Sequence, residues 1–144
     1  MNEYSVEDHN GSKFWYINGE LHREDGPSIE FTSGTKYWYL NGIRHREDGP
    51  AVERANGTKE WWLNNKLQRE DGPAIEWANG TKSWHIADKR HREDGPAVEY
   101  ADGSKAWCVN DIPMSETEFI NKVKNKKFIA AEIESLKSYG IEVG

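Results

Sequence analysis

Proline recurs at Pro27, Pro50, Pro73 and Pro96, a step of 23 residues each time with no insertion between copies. A strict period of this length marks a repeat architecture, in which each unit buries its apolar surface against its neighbours and not in one central core. Other columns keep the step: Trp15, Trp38, Trp61, Trp84, Trp107; Lys13, Lys36, Lys59, Lys82, Lys105; Gly11, Gly34, Gly57, Gly80, Gly103; Glu7, Glu30, Glu53, Glu76, Glu99. The repeat spans residues 4 to 113.

Turn chemistry turns the period into a fold. Asn56-Gly57 separates a strand-like AVERA from a strand-like TKEWWL, and Asn-Gly is the preferred two-residue hairpin turn because both positions need positive φ. The equivalents are Asn10-Gly11, Ser33-Gly34, Asn79-Gly80 and Asp102-Gly103. Asn18-Gly19, Asn41-Gly42, Asn64-Asn65, Ala87-Asp88 and Asn110-Asp111 mark a second turn after each tryptophan. The expectation is a mainly β fold, an antiparallel meander of 23-residue β-hairpin repeats over 1–113, with a C-terminal helical cap over 114–144. A two-residue loop at Asn56-Gly57 places Val52 opposite Trp61 and Glu53 opposite Glu60. Repeated through the array, it makes Trp15, Trp38, Trp61, Trp84 and Trp107 a cross-strand core ladder with Val6, Ile29, Val52, Ile75 and Val98. Leu63 and its equivalents Ile17, Leu40, Ile86 and Val109 share that face.

The run HREDGP begins at His22, His45 and His91, with QREDGP at Gln68. His, Arg, Glu and Asp together suggest an active site, yet copies spaced roughly 10 Å apart along a sheet cannot converge on one substrate. The packing alternative puts His45 opposite Trp38, pairs Glu47 with Lys36, sets Arg on the face opposite His, and makes Asp-Gly-Pro a bend. The spacing supplies at most two metal ligands per copy, and Gln68 interrupts the histidine column. No nucleophile or phosphate-loop motif occurs. The expectation is therefore no enzyme, no metal and no cofactor.

Twenty-five acidic and 19 basic residues leave a net charge of −6. Residues 116 to 144 balance five lysines against five glutamates, so the excess acid belongs to the repeats. Nucleic acid and anionic membrane gain nothing from such a surface, and neither is expected as a partner. Cys108 stands alone, so no internal disulfide forms. MNEYSVEDHNG carries neither the basic nor the apolar part of a secretory signal, which points to the cytoplasm.

Ser115-Glu116-Thr117-Glu118 is a capping box that starts a helix. Phe119, Ile120 and Val123 form a first apolar stripe; Phe128, Ile129, Ile133 and Leu136 form a second beyond KNKK, so one kinked helix or two are expected. Gly140 reads as the terminating residue, with Ile141 placed to meet Leu136. The helix would shield the last edge strand, or pair with a second copy of the chain.

A 23-residue unit of Trp, Asn-Gly, His three residues on, then Gly and a strand ending in Asp-Gly or Asn-Gly resembles the MORN repeat over residues 4 to 113. The form WYLNGxxHREDGPAxE looks like the MORN-type repeats of proteins from tailed phages and large DNA viruses; REDGP stands where MORN has a Gly-x-Gly pair. The resemblance implies an interaction scaffold without catalytic residues, of viral origin and acting in a host cytoplasm.

Between the uniform columns lie varied ones. Tyr16, Tyr39, Trp62, His85 and Cys108 occupy one, and Phe14, Tyr37, Glu60, Ser83 and Ala106 another. A row of Tyr16, Tyr39, Trp62 and His85 rimmed by Arg23, Arg46, Arg69 and Arg92 has the composition of a binding surface. Three readings fit: a protein-binding module such as a phage inhibitor of a host factor, a sponge for a small anionic or nucleotide-like ligand, and a purely structural scaffold.

Overall fold

The structure, a computed structural model, describes residues 1–144. A 12-stranded antiparallel sheet forms the meander that the turn chemistry implies, and the one helix is α1 (Glu116–Ser138). The first unit is a regular hairpin of β1 (Tyr4–His9) and β2 (Ser12–Ile17). The second, third and fourth units break into two-residue strands, whereas the fifth keeps the longer strands Lys105–Val109 and Ile112–Met114. In the third, Val52–Glu53 and Lys59–Glu60 belong to the long sheet, while Trp62–Leu63 and Lys66–Leu67 form a separate small hairpin. Trp61 sits at the break and donates its N–H to the Ala74 carbonyl at 2.8 Å, as Trp38 does to Ala51 at 2.9 Å and Trp84 to Ala97 at 2.8 Å.

The expected register holds in the first unit only. Asn10 (φ 55°) and Gly11 (φ 88°) form a two-residue turn, and Val6 faces Trp15. At the Asn56-Gly57 turn of the third unit only Gly57 has positive φ, at 93°; its N–H bonds to the Arg54 carbonyl at 2.9 Å while the Arg54 N–H bonds to the Thr58 carbonyl at 2.9 Å. Ala55-Asn56-Gly57 is thus a three-residue loop ending in a glycine bulge. Asn56 stays out of the left-handed region and accepts the Thr58 N–H on its side chain. The extra loop residue slides the ladder by one, so Val52 faces Glu60 and Glu53 faces Lys59. A slip of one turns every side chain to the other face. The expected Val52–Trp61, Ile29–Trp38, Ile75–Trp84 and Val98–Trp107 pairs are replaced by Val52–Glu60, Ile29–Tyr37, Ile75–Ser83 and Val98–Ala106. All five second turns have positive φ at both central residues, as expected.

The faces are therefore redistributed. Ile29, Val52, Ile75 and Val98 share a face with Phe14, Tyr37, Glu60, Ser83 and Ala106. Val52 is 0% exposed, as are Ser28, Ala51, Ala74 and Ala97 in the adjoining column, whereas all five repeat tryptophans are half-buried. The most deeply buried repeat positions are thus small or β-branched side chains, and the indoles remain partly open to solvent. A charge ladder runs through the sheet: Glu30 lies between Lys13 and Lys36, Glu53 between Lys36 and Lys59, Glu76 between Lys59 and Lys82, and Glu99 between Lys82 and Lys105. Opposite charges facing across strands stabilise the pairing. Lys36 is thus opposed by Glu30 and Glu53, not by Glu47.

α1 starts at the expected capping box: Ser115 Oγ accepts the Glu118 N–H, and Glu118 Oε2 accepts the Ser115 N–H. It is one helix of 23 residues, because KNKK contains no residue that breaks helical hydrogen bonding. Gly140 (φ 74°) ends it, with the Ile141 N–H bonded to the Leu136 carbonyl at 3.1 Å. Phe119 is buried, whereas Phe128 is 71% exposed. No helix is long and apolar enough to cross a membrane.

Candidate binding surfaces

The arginine of each HREDGP copy lies over the tryptophan of its own unit. Guanidinium-to-ring distances are 4.1 Å for Arg23–Trp15, 4.1 Å for Arg46–Trp38, 4.0 Å for Arg69–Trp61 and 3.9 Å for Arg92–Trp84. Each Arg Nε donates to the aspartate two residues on, at 2.8 Å to Asp25, Asp48 and Asp94 and 2.9 Å to Asp71. Nη1 of Arg69 donates to the Pro73 carbonyl at 3.1 Å and to Glu76 at 3.2 Å, a pattern repeated in the other copies. One side chain thereby ties a bend, the next strand and an indole together. The hydrogen bond and charge of the arginine hold the Asp25 and Asp48 carboxyls below their ordinary value, and the bond from Arg92 does the same for Asp94.

Histidine has an equally structural task. Nδ1 of His45 accepts the Asn64 N–H at 3.0 Å, and His22 and His91 accept those of Asn41 and Asn110 at 2.9 and 3.1 Å. Gln68 accepts the Ala87 N–H at 3.3 Å through Oε1. The two residue types are interchangeable because each offers one acceptor to the turn of the following unit. Arg, Asp and His of the motif are thus committed to joining units.

Arg23, Arg46, Arg69 and Arg92 consequently do not rim the row of Tyr16, Tyr39, Trp62 and His85. That row lies on the opposite face, where other arginines serve it. Arg44 sits 4.6 Å from the Trp62 ring and 5.6 Å from both Tyr37 and Tyr39, and donates to Tyr39 Oη at 3.0 Å. Phe14, Phe31 and Tyr37 continue the cluster edge to face, with centroids 5.8 and 5.9 Å apart. Arg54 closes it through Glu60 at 2.7 Å, and Glu60 also accepts the Trp62 Nε1–H at 2.9 Å.

The structure thus brings Tyr39 and Trp62 together through Arg44. Tyr16 stands in β2, its hydroxyl pKa raised by burial and by Glu7. His85 bonds Ser83, its Nδ1 is buried without a partner, and burial lowers its pKa. Cys108 is buried. Sequence reasoning missed Arg44 and the column Phe31, Arg54, Trp77 and Tyr100. The signal was present, since that column also changes residue type at each 23-residue step, and Phe31, Trp77 and Tyr100 are exposed. The chain matches no protein-family model, no curated protein and no solved structure.

Proposed function

We propose that this chain is a non-enzymatic protein-binding module whose contact surface is the aromatic face of its first three units. One observation carries the reading: Phe14, Phe31, Tyr37, Tyr39 and Trp62 form a continuous patch around Arg44, while the same columns end in Ser83, Ala106 and buried Cys108. Aromatic anchors with an arginine are the composition of interface hot spots. A uniform scaffold bearing a local, non-repeated patch suits one macromolecular partner better than a repeated small ligand. The resemblance to MORN-type repeats of phage proteins supports the same reading, and an inhibitor of a host factor is its specific form.

The test is affinity capture from host lysate with the parent chain and with the double variant Y39A/R44A as baits. The partner should be retained by the parent and lost by the variant, with the far-ultraviolet spectrum unchanged. Loss of both groups removes about 3 kcal/mol, more than a hundredfold in affinity. A partner captured equally by both baits refutes this surface. A nucleotide that raises the parent's thermal midpoint by binding at Arg44 favours the sponge instead.

A further inference from the structure

Three clefts open on the tryptophan face, each between successive copies of HREDGP. The middle one, 750 Å³, has Trp61 and Leu63 at its floor and the loops of Glu47-Asp48 and Glu70-Asp71 as walls. Its neighbours, of 600 and 680 Å³, repeat this with Trp38 and Leu40 and with Trp84 and Ile86. The aspartates are taken by arginine, but Glu24 and Glu47 are 84% exposed and approach only the imidazole of their own copy, at 3.6 and 3.4 Å. Two arginines also line each cleft, one of them stacked on its tryptophan, but each arginine is paired with its aspartate, so the excess charge of every cleft is carboxylate beside one aliphatic side chain.

The corresponding fourth position is flanked by the chain's own helix. The fifth unit lacks HREDGP, and α1 stands beside the last copy. Lys126 Nζ pairs with Glu93 Oε1, and Lys122, Val123 and Ala130 face Val109 and His91 across a space of 500 Å³. Glu93 is the 23-residue counterpart of Glu24, Glu47 and Glu70, as Val109 is of Leu40, Leu63 and Ile86. The bond and charge of Lys126 hold the Glu93 carboxyl below its ordinary value. A helix carrying lysine is therefore what the glutamate at this position of the repeat already accepts.

We infer that the three open clefts dock a lysine-bearing amphipathic helix of a partner protein, laid along the row of Glu24, Glu47 and Glu70. Two strands per unit set these glutamates roughly 10 Å apart. Lysines seven residues apart on a helix are about 10.5 Å apart, which matches. Apolar side chains three and four positions after each lysine then fall on the Trp and Leu floors. This face is opposite the aromatic patch, so the inference stands independently of the function proposed above.

The probe is an acetylated, amidated peptide of about 21 residues, three heptads long, with lysine at every seventh position and leucines between. It is titrated by calorimetry into the full chain, beside a peptide with glutamate at the lysine positions. The lysine peptide should bind at least tenfold more tightly, more weakly as salt rises. Glu24→Gln, Glu47→Gln and Glu70→Gln together should reduce its affinity about tenfold, the combined effect of three exposed ion pairs. Those side chains bridge no units, so the melting curve serves as a control for folding, and Y39A/R44A should bind the peptide like the parent. Equal binding of both peptides, or full affinity in the triple glutamine variant, overturns the inference. Loss of peptide binding in Y39A/R44A does so as well, by placing the site on the other face.

Discussion

The guanidinium of Arg69 lies 4.0 Å from the centre of the Trp61 ring, while its Nε holds Asp71 and its Nη1 reaches both Pro73 and Glu76. The motif that looks most catalytic in this chain is the fastener of its repeats.

Arg69→Lys should destabilise the chain by about 1 to 3 kcal/mol in urea melts, because an ammonium cannot stack flat and fork to three acceptors at once. The charge is retained, so an unchanged midpoint would remove the fastener role.

Gly72→Ala should also destabilise, and for a reason other than backbone strain, since Gly72 has no positive φ. A Cβ there would stand 2.8 Å from Arg69 Cζ, and displacing the stack costs about 1 to 3 kcal/mol. In an Arg69→Ala background most of that cost should vanish, a coupling that a double-mutant cycle in urea would measure.

His45→Gln should leave the urea midpoint nearly unchanged, because Gln68 already bonds the Ala87 N–H in the equivalent place. His45→Leu should lose about 1 kcal/mol or more by stranding the Asn64 N–H. Equal damage from both substitutions would contradict the acceptor role.

Acid should weaken the array through its bends. The Asp25, Asp48 and Asp94 carboxyls lie below their ordinary value of 3.8, held there first by the arginine hydrogen bond. A lowered folded-state value means that the contribution is fully present above about pH 4 and is lost as the pH falls through the lowered values. The replacement D25N/D48N/D94N should be less stable at neutral pH and should flatten the acid limb of a pH series of melts. An unchanged acid limb would show that these carboxylates are not linked to folding.

The sequence alone determined the repeat, the meander, the second turns and the helix start, because each rests on local chemistry. Asn64-Asn65 tolerates positive φ, and Ser115 with Glu118 satisfies free backbone donors, wherever the rest of the chain lies. Tertiary structure decided the register and the faces. Asn56-Gly57 is compatible with a two-residue or a three-residue loop, and the two differ by one residue in the ladder, which by itself settles whether Val52 faces Trp61 or Glu60. Once the longer loop is taken, Trp61 leaves the sheet's pairing at a break and offers its ring to Arg69. No column of letters reveals that stack, since the two residues meet only after a turn and a second strand have folded back.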